Sequence, residues 1–359
     1  MRVRLGDYIK EYSVKNKNNE DIPVYSVSNS LGFCKDYFGK EVASKNKTTY
    51  KIVPRGCFAY NPSRINVGSV DWQNEEERVI VSPLYNVFSI SPLLDQQYLL
   101  YYLKSNVTLA RIKAVASGSV RDNLKLSMLY EFPIDLISLD QQYEVVSILN
   151  AIQKIIDLYQ KELSGLDELV RARFVEMFGD PNIEFKYNSI KFNDLVVRMT
   201  KGPFGSDMKK DLFVPKGEDT YKVYIQINAI QKNQSLGEYY ISKEYFDRKV
   251  SRFELFPNDY IITCDGTLGK YLKLDKNMEK GVISPSLLRL TLQSDKINDK
   301  YFENIWDFYM LGLMKKEARN ACLVHLPSAK KIGEISIPIP PLELQNQFAS
   351  FVQEIDKSR

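Results

Sequence analysis

The sequence predicts an α+β chain: two homologous domains, repeated at an offset of about 203 residues and separated by long helices. Three observations carry this prediction. The segment "SLDQQYEVVSIL" (138–149) returns as "PLELQNQFASFV" (341–352), with Leu139, Gln142, Val145 and Ile148 matched by Leu342, Gln345, Phe348 and Phe351. Apolar residues recur at seven-residue spacing through 140–178. Short β-rich runs punctuated by Gly, Asn and Pro precede one helical stretch in each half. A chain of 359 residues also exceeds what one ordinary core organises, so two domains are expected.

The first domain is assigned to residues 1–137. Its β-rich run "YKIVPRGCFAY" is followed by "VIVSPLYNVFSI" and by the helical "DQQYLLYYLKSNVTLARIKAVA". A central helix occupies 138–178. Its columns 145/152/159/166, 148/155/169 and 149/156/163/170 are apolar, which makes a seam that needs a partner helix. Asp140 is placed to cap this helix, and Gly179 and Pro181 of "FGDP" end it. At 1.5 Å per residue the helix spans roughly 57 Å.

The second domain is assigned to 179–340 and repeats the first. "PRGCFAY" (54–60) and "PNDYIIT" (257–263) stand 203 apart, "VIVSPLYNVFSI" answers "GVISPSLLRLTL", and Tyr98 lies over Tyr301. A short C-terminal helix, 341–359, keeps the register of the first through Phe348, Phe351, Val352 and Ile355. Tyr159, Leu163, Leu166, Leu169 and Val170 of the central helix then have no counterpart. Burying five such side chains is worth on the order of 8–15 kcal/mol as an upper bound, so another chain is expected to cover them.

Charge separates the segments. Residues 1–137 hold 18 Lys/Arg against 14 Asp/Glu and residues 179–340 hold 25 against 21, whereas 138–178 holds 4 against 7. A polyanion would meet the two domains rather than the helix between them. Cys34, Cys57, Cys264 and Cys322 have no CxxC spacing and read as reduced thiols of a cytoplasmic protein. A single histidine, His325, argues against a zinc site or a His-based triad, and no metal ligand set is expected. No apolar run has the length of a membrane span, and "MRVRLGDYIKEYS" has no secretory leader core.

Fragments that suggest catalysis are incomplete. "NPSR" (61–64) lacks the second Pro and the aromatic of an adenine methyltransferase motif. "GTLGK" (266–270) is too short for a phosphate-binding loop. "EFK" (184–186) has Asp180 as its nearby upstream acid, too close to leave a strand between them for a nuclease site.

The segments "IPIPPLELQNQF", "RARFVEMFGDP" and "LFPNDYIITCDGTLGKYLKL" resemble the helix start, the helix end and a strand-turn-strand unit of the specificity (S) subunits of type I restriction-modification systems. The resemblance covers both repeats and both helices. It implies two target recognition domains joined by long antiparallel coiled-coil helices, each domain reading one half of a split double-stranded DNA sequence. Methyltransferase (modification) subunits would dock on the helices and a motor-nuclease (restriction) subunit would join through them. A second specificity chain could complete the coiled coil. The chain itself would be non-catalytic and need no cofactor, with S-adenosylmethionine, ATP and Mg expected in the partner subunits alone. The rival readings are the DNA-specificity subunit of a related bifunctional restriction-methylation enzyme, an enzyme with an unrecognised site, and a coiled-coil adaptor that binds no DNA.

Candidate DNA-contacting residues lie in equivalent loops. In "YNPSRINVGS", Asn61, Arg64 and Asn66 suit base edges, and Thr263, Asp265, Thr267 and Lys270 are their counterparts in "TCDGTLGKY". Lys201, Ser206 and Lys209 of "TKGPFGSDMKKD" suit phosphates. Asn29, Gln226 and Asn228 end the runs "SVSN" and "IQIN", and Arg121 faces Arg319 and His325 across the repeat. Each of these positions could equally be a solvated turn.

Overall fold

In the computed structural model, residues 1–35, 46–116, 123–180, 183–232, 237–320 and 325–359 are described, with backbone alone for 317–320. The chain divides into two units, Met1–Leu158 and Tyr159–Arg359. The division falls inside the long helix rather than at its ends.

The N-terminal unit is built on a four-stranded antiparallel sheet of β1 (Ile9–Glu11), β2 (Phe58–Tyr60), β3 (Val70–Trp72) and β4 (Asn86–Ile90), in the order β1-β4-β2-β3. The C-terminal unit uses β5 (Val196–Lys201), β6 (Tyr260–Thr263), β7 (Tyr271–Lys273) and β8 (Leu287–Leu292), in the order β5-β8-β6-β7. The two orders are the same, element for element, which is the structural form of the sequence repeat. The C-terminal unit adds a second four-stranded sheet, with Thr220–Tyr224 between Tyr239–Ser242 and Gly281–Ile283, and Glu254–Leu255 at the edge.

Each sheet is covered by a helix that starts at the repeated offset: α1 (Gln96–Lys104) in the first unit and α3 (Asp299–Ile305) in the second. Asp95 and Asn298, 203 apart, cap them by accepting from the backbone N–H of Tyr98 and Lys300. The Tyr98 hydroxyl donates to the Asp135 carbonyl and the Tyr301 hydroxyl to the Pro338 carbonyl, again 203 apart. The core of the first unit gathers Leu5, Phe58, Phe88, Leu99 and Leu103 around this helix, and that of the second gathers Tyr260, Leu290, Phe302 and Trp306.

The start of each long helix is pinned by one buried glutamine. Gln142, with no exposed surface, donates from Nε2 to the carbonyls of Leu93 and Ile137 and accepts at Oε1 from the Asp95 N–H. Gln345, equally buried, donates to Lys296 and Pro340 and accepts from the Asn298 N–H. All three pairs of partners, like the glutamines themselves, stand 203 residues apart. A buried primary amide needs this many partners, so the glutamine fixes three chain segments at once.

The central helix, α2, runs from Leu139 to Phe178, 40 residues and about 60 Å long. Its cap is Ser138, not Asp140. The Ser138 hydroxyl accepts from the Gln141 N–H at 3.3 Å and Gln141 Oε1 accepts from the Ser138 N–H at 3.2 Å. That reciprocal pair is a capping box, and it leaves Asp140 in the first turn to complement the helix dipole. Gly179 stops the helix at φ +92°, where a Cβ would meet the Glu184 carbonyl at 2.4 Å. Pro181 lies outside the described residues.

The last turns of α2 enter the core of the C-terminal unit. There α4 (Leu342–Lys357) lies antiparallel to them: Phe348 packs edge-on to Phe174 and Phe178 at 5.6 and 5.5 Å, and Arg359 ion-pairs with Asp167. The expectation for Val170 is therefore corrected, because it is 5% exposed inside this core. An antiparallel partner covers the far end of α2 first, not its beginning. Leu166 is half-buried, while Tyr159 (63% exposed), Leu163 and Leu169 are open. Among the described residues no helix is long and apolar enough to cross a membrane.

Replacing Gln345 with Leu should destabilise the C-terminal unit by about 3 kcal/mol in urea unfolding of the full chain, since it strands one N–H and two carbonyls in the interior. Gln142→Leu should do the same to the N-terminal unit. A loss below about 1 kcal/mol would mean that other groups satisfy those atoms.

Candidate nucleic-acid interface

In both units the same end of the sheet carries the candidate residues. In the N-terminal unit β2 and β3 are joined by residues 61–69. Asn61 Oδ1 accepts from the Ser63 N–H at 3.0 Å, an Asx turn that starts the loop, and Ile65 is buried beneath it. Arg64 is exposed and Asn66 half-buried. The hairpin Ser26–Cys34 approaches the same loop: a Cβ on Gly68 would lie 4.0 Å from that of Asn29. Lys104, the last residue of α1, donates to the Asn29 carbonyl at 3.5 Å. Leu31 and Val67 extend from the two loop tips and are largely exposed.

In the C-terminal unit β6 and β7 are joined by residues 264–270. Thr263 is fully buried and its hydroxyl is spent inside the loop, donating to the Thr267 carbonyl and accepting from the Lys270 N–H at 3.0 Å. It cannot meet a base, which corrects the expectation for that residue. Asp265 holds His325, with Oδ1 2.5 Å from Nδ1, and the Leu326 N–H donates to the Cys264 carbonyl at 2.8 Å. The Trp306 indole N–H donates to the Gly269 carbonyl at 2.9 Å and fastens the loop from below. Thr267 and Lys270 are left exposed. Burial pushes the Cys264 thiol up to about 12, against the opposing effect of Lys201, so that cysteine stays a neutral thiol.

Residues 201–207 leave β5 at this same end. Lys201, Ser206 and Lys209 are exposed, and Gly202 packs against the backbone of Ser284 and Pro285. Gln226 and Asn228 do not end a strand as expected. They lie on a short helix, Gln226–Ala229, that follows the strand, and the Asn228 amide donates to the Gly237 carbonyl. Arg121 lies outside the described residues, as do Cys322 and the side chain of Arg319, whose backbone is in the helix Leu311–Asn320. Among the described residues no three His, Cys, Asp or Glu side chains gather in a way that could hold a metal.

The sequence model of the type I restriction modification DNA specificity domain matches residues 4–168 and 205–359, one match for each repeat. The chain belongs to this family. A specificity subunit of the type I restriction enzyme MjaVIII from Methanocaldococcus jannaschii is 30% identical over 144 residues, a match spanning 36% of this chain and 32% of that relative. Two solved structures share the fold. One, from work on complex assembly and conformational transition of the type I R-M system, is 13% identical with a TM-score of 0.55, covering 100% of this chain and 90% of that one. The other, a type I restriction-modification S subunit from M. genitalium, is 14% identical with a TM-score of 0.50, covering 100% and 89%.

Within this specificity-domain fold, the structure brings Asn29, Asn61, Arg64 and Asn66 to one end of the first sheet. At the matching end of the second sheet it places Lys201, Asp265, Thr267, Lys270 and His325. Sequence reasoning missed Lys104 in the first unit and Phe204 and Arg252 in the second. Phe204 had a signal, since a phenylalanine flanked by Pro and Gly in a polar turn has no core to join. Lys104 and Arg252 had none, because their neighbours are distant in sequence.

The 201–204 segment should be intolerant of a side chain at Gly202, where a Cβ would come within 2.0 Å of the Ser284 carbonyl oxygen. Gly202→Ala is expected to cost about 1–3 kcal/mol of stability in thermal or urea unfolding. A neutral result would show that this segment shifts freely.

Proposed function

We propose that this chain is the non-catalytic DNA-reading component of a type I restriction-modification complex. The observation that carries this reading is the equivalence of the two hairpin ends. Two sheets of the same strand order present loops 61–69 and 264–270 at corresponding positions, each with exposed basic and amide or hydroxyl side chains. Each end would read one half of a split duplex target. Exposed Arg and Asn make the bidentate hydrogen bonds that distinguish guanine and adenine, and Lys meets the phosphates. Asp265 serves this purpose indirectly: by accepting from His325 Nδ1 it orients the ring and directs Nε2 outward. The other imidazole nitrogen is then available to a base or phosphate.

The helices would serve the partners. Ile148, Ile152, Ile155, Ile156, Tyr159 and Leu163 leave an apolar face of α2 open to solvent, a face suited to methyltransferase subunits or to a second specificity chain. The motor-nuclease subunit would join through the same assembly. S-adenosylmethionine, ATP and Mg would be bound in those partners.

Exchanging residues 1–137 for the first domain of another family member, and sequencing the methylome of cells that also carry the partner subunits, should change one half of the methylated motif. A change in both halves, or in neither, would overturn modular reading. Substituting Leu163 and Leu166 together with Glu should abolish association with partner subunits, measured by size-exclusion chromatography with light scattering, while both units stay folded. Retained association would place the partner contact elsewhere.

A further inference from the structure

We propose that a cleft in the C-terminal unit, between residues 200–204 and residues 252–253, seats a backbone phosphate of the duplex. Lys201 and Arg252 supply its charge, and the Phe204 ring packs on the adjoining deoxyribose and base. The proposal rests on the reading that the chain binds DNA and names residues for one of its contacts.

The cleft is a cavity of about 280 Å³ lined by Thr200, Lys201, Gly202, Pro203, Phe204, Arg252 and Phe253. That volume suits a phosphodiester and is too small for a base pair. Beneath it lies Arg289, 2% exposed. Its guanidinium donates to the Glu254 carbonyl, to the Arg252 carbonyl at 3.3 Å and to Thr200 Oγ1 at 3.4 Å, while its buried Nε has no partner. Every one of these acceptors is a neutral oxygen.

No carboxylate pairs directly with that charge among the described residues. Among the described residues Arg289, Lys201 and Arg252 form no ion pair with Asp or Glu. Asp259 and Glu254 act on the Arg289 charge without pairing directly with it, and the Asp259 oxygens accept from the Thr291 hydroxyl at 2.5 Å and the Phe256 N–H at 2.9 Å. A buried cation with no direct ion pair is incompletely compensated, and an anion in the cleft above it would add to that compensation. Two further cations border the same opening, so the potential there favours a phosphate. The Thr200 hydroxyl, already accepting from Arg289, has its own proton free to donate to such a group.

Phe204 adds the second, independent observation. It is 76% exposed although it is anchored on both sides: Pro203 is buried before it, and the turn Gly205–Asp207 follows. Gly202 is locked against Ser284. A ring held out by so fixed a backbone is placed for a partner surface. Beside a phosphate seat, that surface is the sugar and base edge, which aromatic side chains contact by stacking or wedging.

The test is fluorescence anisotropy of the full chain with a labelled pool of random-sequence 40-bp duplexes, titrated between about 50 and 200 mM salt, where the phosphate contribution is read directly. Arg252→Gln should lower the slope of log K against log salt by about 1, and K201Q with R252Q by about 2. F204A should weaken binding roughly tenfold with the slope unchanged. Lys296→Gln, beyond the opposite end of β8, serves as the control, and far-UV dichroism establishes that each variant is folded. Salt-dependent binding by the wild type with slopes unaltered in both Arg252 variants would overturn the phosphate seat and leave DNA binding intact. Full affinity in F204A would remove the ring from the contact. Absence of salt-dependent binding by the wild type would overturn both readings.

Discussion

Two buried glutamines hold the plan of this protein together. An unpaired primary amide in a protein interior is unfavourable by several kcal/mol, so Gln142 and Gln345 are stable only where three backbone groups converge on them. Those groups come from the loop before α1 or α3 and from the strand end before α2 or α4. The long helices therefore leave each unit at a set place, and the sheet behind them is oriented by the same contact. Because every partner recurs at an offset of 203, the repeat is a repeat of one hydrogen-bonding junction as well as of apolar pattern.

The end of each sheet divides its residues between building and binding. Thr263, Asp265 and Trp306 are spent on holding the 264–270 loop, through a buried hydroxyl, a carboxylate–imidazole pair and an indole bond to Gly269. Lys270, Thr267 and Lys201 are left over, exposed and unpaired by Asp or Glu among the described residues. In the first unit the Asx turn at Asn61 plays the building part and leaves Arg64 outside. Lys201 and Lys270 therefore place positive charge at this end of the sheet that no direct ion pair offsets among the described residues. The chain's formal +4 would not reveal this.

The long helix is a shared element rather than a spacer added between finished domains. Val170, Phe174 and Phe178 belong to the core of the C-terminal unit, and α4 closes over them. Among the described residues the stretch from Ile148 to Leu163 has no such cover, and its apolar face is open to solvent. The physical contrast between these two stretches of one helix explains why a heptad pattern alone could not distinguish core from interface.

Much of the fold was legible in the sequence because it depends on periodicity and on local chemistry. The 203-residue offset, the helix stop at Gly179, the apolar columns of α2 and the equivalence of loops 61–69 and 264–270 all follow from spacing and from residue type. The capping of α2 by Ser138, the burial of Val170 and of Thr263, and the helical placement of Gln226 and Asn228 did not follow. The Ser138 capping box is local, its Ser-x-x-Gln spacing open to reading, whereas the other placements depend on which groups packing brings together. The basic cleft is the clearest case: Lys201, Arg252 and Arg289 are scattered over 89 residues and become neighbours through strand register and the packing of the 251–253 turn. Sequence determined which segments would be strand, helix and turn, because backbone sterics and apolar spacing act locally. Tertiary structure decided which charges keep their partners, because ion pairing and burial depend on distances that only packing sets.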